Sequence, residues 1–346
     1  PPFFFQAEDC ILDSVASRGR GDVYKRQTLV TPTGEIEARS VTPRNSVGIP
    51  PKVFLFGSEG NFGIITKAII KIHPLPEIRR YGSLIFPSLR HGIDFLKELR
   101  RVGAIPASIR LVSNVEFRFG QALKPAPGFF KGITTGIQKL FLFMIMRYRP
   151  LEITASTIVM EGSEREVEHL AETLFATAKT FKGISGGSGN GRRGYMLTFG
   201  IAYIRDFLSQ FQVLGETFET TVPWDRIEPV CQADQDELVS QCRTYNVPGK
   251  PYLAYRLTQT YHTGVCIYFT MGFCGMGLEK SYEVYHNIER ALRQVILDNG
   301  GSLSHHHGVG KIRRGFLPQI QTENSVRVQR DLKRSMDPVS YTHLRA

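Results

Sequence analysis

Strand-like and helix-like segments follow one another in this chain without regular strand-helix-strand alternation, and that order constrains the fold more than any single residue does. Ile153 to Met160 reads as a strand. The helix after it opens on the capping pair Ser163 and Glu166, and its apolar face carries Val167, Leu170, Ala171, Leu174, Ala178 and Phe181. Leu253 to Thr260 and Val265 to Phe269 form a hairpin across His262 to Gly264, leading to a second amphipathic helix with Val284, Ile288, Leu292 and Val295 that Gly300 and Gly301 end. Strands covered by helices in this order predict an α+β domain with a mainly antiparallel sheet.

Earlier in the chain, LVTPTGEIEARS reads as a hairpin around Pro32 to Gly34, and Gly63 to His73 as a largely buried strand closed by Pro74 and Pro76. A new unit begins near Tyr81, where LIFPS precedes a helix carrying Ile93, Leu96 and Leu99. The first 27 residues have neither period, and they, like VSYTHLRA at the other end, resemble translated sequencing adapter. Both ends are therefore expected to be artefacts flanking a sequence truncated on both sides.

With 346 residues and 42% hydrophobic residues the chain can bury real cores. A net charge of +11 favours anionic partners such as phosphate groups or acidic lipid surfaces. Its basic residues are scattered and not gathered in a stripe with stacking aromatics, so nucleic acid is not an expected partner. Five cysteines without CxxC spacing give neither a disulfide framework nor a zinc site, and a reducing compartment fits them best. The longest apolar run, Leu140 to Met146, is far shorter than the roughly 20 residues that cross a bilayer.

Two motifs carry the chemistry. GSEGNFG, residues 57–63, lies between the apolar strand VFLF and the strand GIITKAIIKI, and its small residues open the backbone to a cofactor. SHHHGVGK, residues 304–311, places three consecutive histidines. On an extended segment neighbouring side chains face opposite ways, so the three cannot converge on one metal, and no metal is expected. Imidazoles placed there supply donors to a phosphate or tune a neighbouring acid or base. Each motif also has a plain reading, as a turn or a solvated polar loop.

The first motif resembles the GSEGTLGIIT element of vanillyl-alcohol-oxidase-type flavoproteins, in which the stretch matching Glu59 to Ile65 lines the FAD site. GGSLSHHHGVGK, GRRGYMLT, AYIRD, VLGETFETTVPWDR, PASIRL and TQTYHTGVCIYF together resemble the alkyldihydroxyacetonephosphate synthase family across nearly all of Thr28 to Pro338. That resemblance implies non-covalently held FAD bound through Gly57, Ser58, Glu59, Gly60, Asn61, Phe62, Gly63, Ile64 and Ile65. It implies exchange of the acyl chain of acyl-dihydroxyacetone phosphate for a long-chain fatty alcohol through a covalent adduct at flavin N5, with no net redox change.

By the same resemblance Tyr268 moves a proton, with His305, His306 and His307 around it; Arg205 binds substrate and Arg110 supports activity. A phenol with an ordinary pKa near ~10 needs help to act as a base at neutral pH, and lowering it by about three units corresponds to roughly 4 kcal/mol. The plain reading of a strand tyrosine is core, and that of such an arginine a surface ion pair.

The implied domains are the rear part of a FAD-binding domain at 28–78, a substrate-binding cap domain with an antiparallel sheet covered by helices at 79–300, and an active-site segment at 301–338. Residues 128–149 mix aromatics and aliphatics with Lys131, Lys139, Arg147 and Arg149, and are expected to touch the membrane peripherally. A homodimer and a peroxisomal location follow by analogy only. The missing front half of the flavin domain predicts that this polypeptide alone binds FAD poorly and is inactive. Two rival readings are a FAD-dependent 2-hydroxy-acid dehydrogenase and a non-catalytic lipid-binding module.

Overall fold

The computed structural model describes residues 24–37, 48–70 apart from 50 and 56, 72, 74–123, 144 and 147–340. The chain divides into two compact units: Pro1–Leu75 with Leu303–Ala346, and Pro76–Ser302. The membrane-contact expectation for 128–149 falls almost wholly outside the described residues. Among those that are described, no helix is long and apolar enough to cross a membrane.

The first unit contains a three-stranded antiparallel sheet in the order β2-β1-β3, made of β1 (Tyr24–Thr31), β2 (Gly34–Glu37) and β3 (Ile64–Ile70). β1 and β2 close the expected hairpin, with Thr31 opposite Gly34. β1 starts four residues inside the stretch assigned to the front artefact. The apolar run VFLF is not a strand: Lys52–Leu55 is a single helical turn, closed by the Leu55 N–H on the Pro51 carbonyl, because a short apolar run fits either period. β3 also departs from expectation: Ile64 is 64% exposed and Ile65 48%. Its apolar residues alternate onto both faces of an edge strand, and in a three-stranded sheet no described element of this unit covers them.

The second unit is built on a seven-stranded antiparallel sheet in the order β7-β4-β6-β5-β9-β10-β8. Its elements in chain order are β4 (Ile78–Phe86), α1 (Leu89–Val102), β5 (Ser108–Val112), α2 (Asn114–Ala122), β6 (Thr154–Gly162), α3 (Glu164–Thr180), β7 (Ile184–Ser185), α4 (Ser188–Ser209), β8 (Val213–Pro223), α5 (Ile227–Thr244), β9 (Tyr252–Thr260), β10 (Gly264–Cys274) and α6 (Ser281–Asp298). The architecture is the expected α+β one. α3 starts in a full capping box between Ser163 and Glu166, and it buries Val167, Ala171, Leu174 and Ala178. α1 buries Ile93, Leu96 and Leu99. Gly300, at φ +83°, follows α6, and the Gly301 N–H returns to the Ile296 carbonyl.

Strand alternation divides the sheet into two chemically different faces. Leu84, Ile109, Leu111, Ile158, Leu257, Ile267, Phe269 and Phe218 belong to one continuous apolar core with residues of α1, α3, α5 and α6. The opposite face carries Arg110, Arg256, Tyr268, Cys266 and Glu219, and α2 and α4 pack on that side.

Charge is also buried beneath the helices. Arg293 and Glu289 of α6 form an ion pair, each about 2% exposed, and the Arg293 guanidinium lies 5.5 Å from the Phe218 ring centroid. Asp234 of α5 is fully buried, and neither carboxyl oxygen has a hydrogen-bond partner. Burial, helped by Glu237 and opposed by Arg293, pushes its pKa well above the usual carboxylate range. An acid whose folded pKa is raised binds its proton more tightly in the native state. Its stabilisation is therefore complete below the unfolded pKa and is lost as pH rises toward the folded one. Asp234→Asn removes this pH dependence of about 1.4 kcal/mol per pH unit within that window, as urea melts across mildly acidic to neutral pH would record. An unchanged slope overturns the assignment.

Candidate active site

In the first unit, the glycine loop of residues 57–63 and the histidine segment are joined by one side chain. Glu59 accepts hydrogen bonds from the backbone N–H groups of Val309 at 2.5 Å and Gly310 at 2.8 Å. Gly308 has φ +78°, which favours glycine, and a side chain there would displace the Glu59 carboxylate. Arg313, 8% exposed, donates to the Gly308 carbonyl and fixes the turn from its other side. The loop is anchored again by the last helix, α7 (Glu323–Met336), from which Lys333 reaches both the Asn61 carbonyl and the Asp337 carboxylate. Leu29, Leu55, Phe62 and Met336 form the small core beneath it.

Glu59→Ala deletes two charge-assisted bonds worth about 1.5–3 kcal/mol each. Hydrogen exchange of the Val309 and Gly310 amides is expected to rise at least roughly 10-fold. Unchanged exchange at those two amides would show that the loop is held by other means.

The glycine loop suits a cofactor. Gly57 and Gly60 have φ near +80°, and a Cβ at either position would meet no atom within 4 Å, so the backbone lies open there. Glu59 holds φ +50° between them, an uncommon conformation for a residue with a side chain. Gly63 serves packing instead: a side chain there would collide with the Val30 carbonyl.

Ser304 to His307 follow a bent path, not an extended one, so adjacent imidazoles meet. His305 Nδ1 and His306 Nδ1 lie 2.8 Å apart, and the His306 and His307 rings pack edge-on with centroids 4.5 Å apart. A contact between two Nδ1 atoms requires one ring to donate and the other to accept, so at least one of the two is neutral.

In the second unit, Tyr268 of β10 stands directly opposite Arg256 of β9 on one side and Glu219 of β8 on the other. The Arg256 guanidinium lies 4.6 Å from the Tyr268 ring centroid, and Glu116 of α2 pairs with it at 3.3 Å. Arg110, 7% exposed on β5, lies 5.7 Å from the ring of Tyr195 of α4, a residue of the GRRGYMLT motif. Arg205, near the far end of α4, is exposed and pairs with its neighbour Asp206 at 3.1 Å.

Tyr268 and Arg110 therefore share one sheet face, Arg205 sits on an exposed helix surface, and the histidines belong to the other unit. Sequence reasoning did not single out Arg256, Glu116 or Glu219. Arg256 was within reach, because it and Tyr268 each stand six residues from His262 at the hairpin turn.

Residues 75–341 match the family of FAD linked oxidases, C-terminal domain. The chain belongs to that family, and FAD is its cofactor. More particularly, it is 37% identical over 320 residues to the alkyldihydroxyacetonephosphate synthase of Caenorhabditis elegans, a match covering 92% of this chain and 54% of the relative. A solved alkyldihydroxyacetonephosphate synthase structure superposes with a TM-score of 0.73 at 26% identity, covering 92% of this chain and 53% of that one. The 4-ethylphenol oxidase of Gulosibacter chungangensis shares the fold at a TM-score of 0.62 and 11% identity, with 91% of this chain and 64% of that one covered. The chain spans about half the length of the curated relatives it matches.

Proposed function

We propose that these residues form the rear part of an alkyldihydroxyacetonephosphate synthase, acting in ether-lipid synthesis. The observation that carries this reading is the Glu59 bond between the GSEGNFG loop and the HHHGVG segment. It joins a flavin-type loop to the run that sets this family apart from other flavin oxidases, and likeness to a synthase over 92% of the chain points the same way.

The substrates on this reading are acyl-dihydroxyacetone phosphate and a long-chain fatty alcohol. The ester C–O bond breaks, the fatty acid leaves with that oxygen, and the alcohol oxygen bonds to the same carbon as its proton departs. No electrons are gained or lost overall. Flavin, when bound, would supply nucleophilic chemistry at that carbon. Gly57 to Ile65 would hold that group, with Glu59 spanning loop and histidine segment.

Tyr268 takes and returns the proton at the reacting carbon. His305, His306 and His307 supply donors and acceptors, at least one of the first two neutral, while Arg110 braces α4 through Tyr195. Arg205 is the cation offered to the substrate phosphate, which requires it to exchange its Asp206 partner for the ligand. The exposed isoleucines of β3 call for a covering layer, and the front half of the flavin domain would supply it. A homodimer, a peripheral membrane contact and a peroxisomal location belong to the whole protein on this reading.

The test is a chimera in which residues 28–338 replace the matching part of the Caenorhabditis elegans synthase. A flavin-loaded chimera that forms alkyl-dihydroxyacetone phosphate supports the reading. One that is folded and flavin-loaded yet inactive overturns it.

A further inference from the structure

The polar face of the large sheet holds a charged row whose order gives it a purpose. Tyr268 has a register partner on each side, cationic Arg256 and anionic Glu219, and Glu219 is 1% exposed. Arg256 is itself nearly buried, its side chain 11% exposed, with Glu116 at 15% against it. A guanidinium at that depth gives up much of its hydration, and the face of an aromatic ring is one of few surfaces that attract it. At this distance in a partly dehydrated site, its charge is felt by the phenolic oxygen as well as by the ring.

The neighbouring groups leave Arg256 as the cation with the closest described approach to the ring. Cys266, two residues along β10, has its thiol pushed up to about 12 by burial and then by Glu219, so it is uncharged at neutral pH. Burial, aided by Glu116, also raises Tyr252 of β9, whose phenol stays protonated. Arg110 is directed at Tyr195. Glu219, opposite Tyr268, and Glu116, paired with Arg256, act against a second negative charge on Tyr268.

We propose that Arg256 is the positioning residue of Tyr268: held by Glu116, its guanidinium fixes the phenol ring and supplies the positive charge that favours the phenolate. This rests on the reading of Tyr268 as the proton-handling group. It adds that the balance between Arg256 and Glu116 sets how readily the oxygen gives up its proton.

The test uses the whole chain labelled with tyrosine carrying carbon-13 at Cζ. The Tyr268 signal is identified by its loss in Tyr268→Phe and followed by NMR from neutral to alkaline pH. Arg256→Met is expected to raise the Tyr268 midpoint by about one pH unit, with Arg256→Lys between the two. Glu116→Gln, which keeps an amide oxygen to accept from the guanidinium and removes the charge that offsets it, is expected to lower the midpoint. A loosened fold does not produce shifts of opposite sign.

An unmoved midpoint in Arg256→Met, with the other tyrosine signals in place, overturns the proposal. Should that variant fail to fold, Glu116→Gln decides alone, and an unmoved or raised midpoint overturns it. Because the readout is titration and not turnover, these results stand apart from the chimera: an inactive chimera beside the expected shifts would sink the function and leave the coupling intact.

Discussion

Phenylalanine in place of Tyr268 is expected to lower turnover of the flavin-loaded chimera by roughly 100- to 10,000-fold, the range that removing a general acid or base usually costs. The substitution takes away one hydroxyl and keeps the ring under Arg256, so packing against the guanidinium survives. Binding of the phosphate end of the substrate is assigned to other residues. The loss should therefore fall on kcat, with KM nearly unchanged, and flavin content should stay the same. Turnover within a factor of about three of the unsubstituted chimera would remove Tyr268 from the chemistry. A loss shared between kcat and flavin occupancy would instead give the residue a structural role.

Much of the architecture was legible because it rests on local rules. The Ser163–Glu166 box, the stripe from Val167 to Ala178 and the turn around His262 each depend on residues close in sequence, and each stands in the structure as periodicity and capping chemistry predict. β3 was misread for a reason of the same kind. Apolar composition marks a strand that seeks cover, but it does not say whether the cover lies within the residues at hand.

The candidate site was less accessible, since its decisive contacts join distant positions. Glu59 reaches Val309 across 250 residues and Arg256 reaches Glu116 across 140, and no period or spacing announces either pair. The bend from Ser304 to His307 was hidden too. Three histidines in a row are compatible with an extended segment, in which neighbours point apart, and only the backbone path brings Nδ1 to Nδ1.

Arg293→Met is expected to destabilise the second unit by about 3–5 kcal/mol. Methionine nearly matches the arginine in length and lies comfortably against Phe218, so lost packing is a small part of the cost. The larger part is electrostatic. Without Arg293, the buried Glu289 loses its ion-pair partner and the adjacent Asp234 loses the one cation that offsets its burial. The Glu289 carboxylate is then buried without its partner or must let water in, and either outcome costs native stability. The chain's single tryptophan, Trp224, is 9% exposed in this unit and donates its indole N–H to the Tyr261 and His262 carbonyls, so its fluorescence follows the unit's unfolding in urea. Adding Glu289→Met to Arg293→Met should recover most of the loss, since a pair exchanged for apolar residues leaves no stranded charge beyond Asp234. A single variant that melts with the parent, or a double variant no better than the single, would mean that this pair does not carry the helix layer.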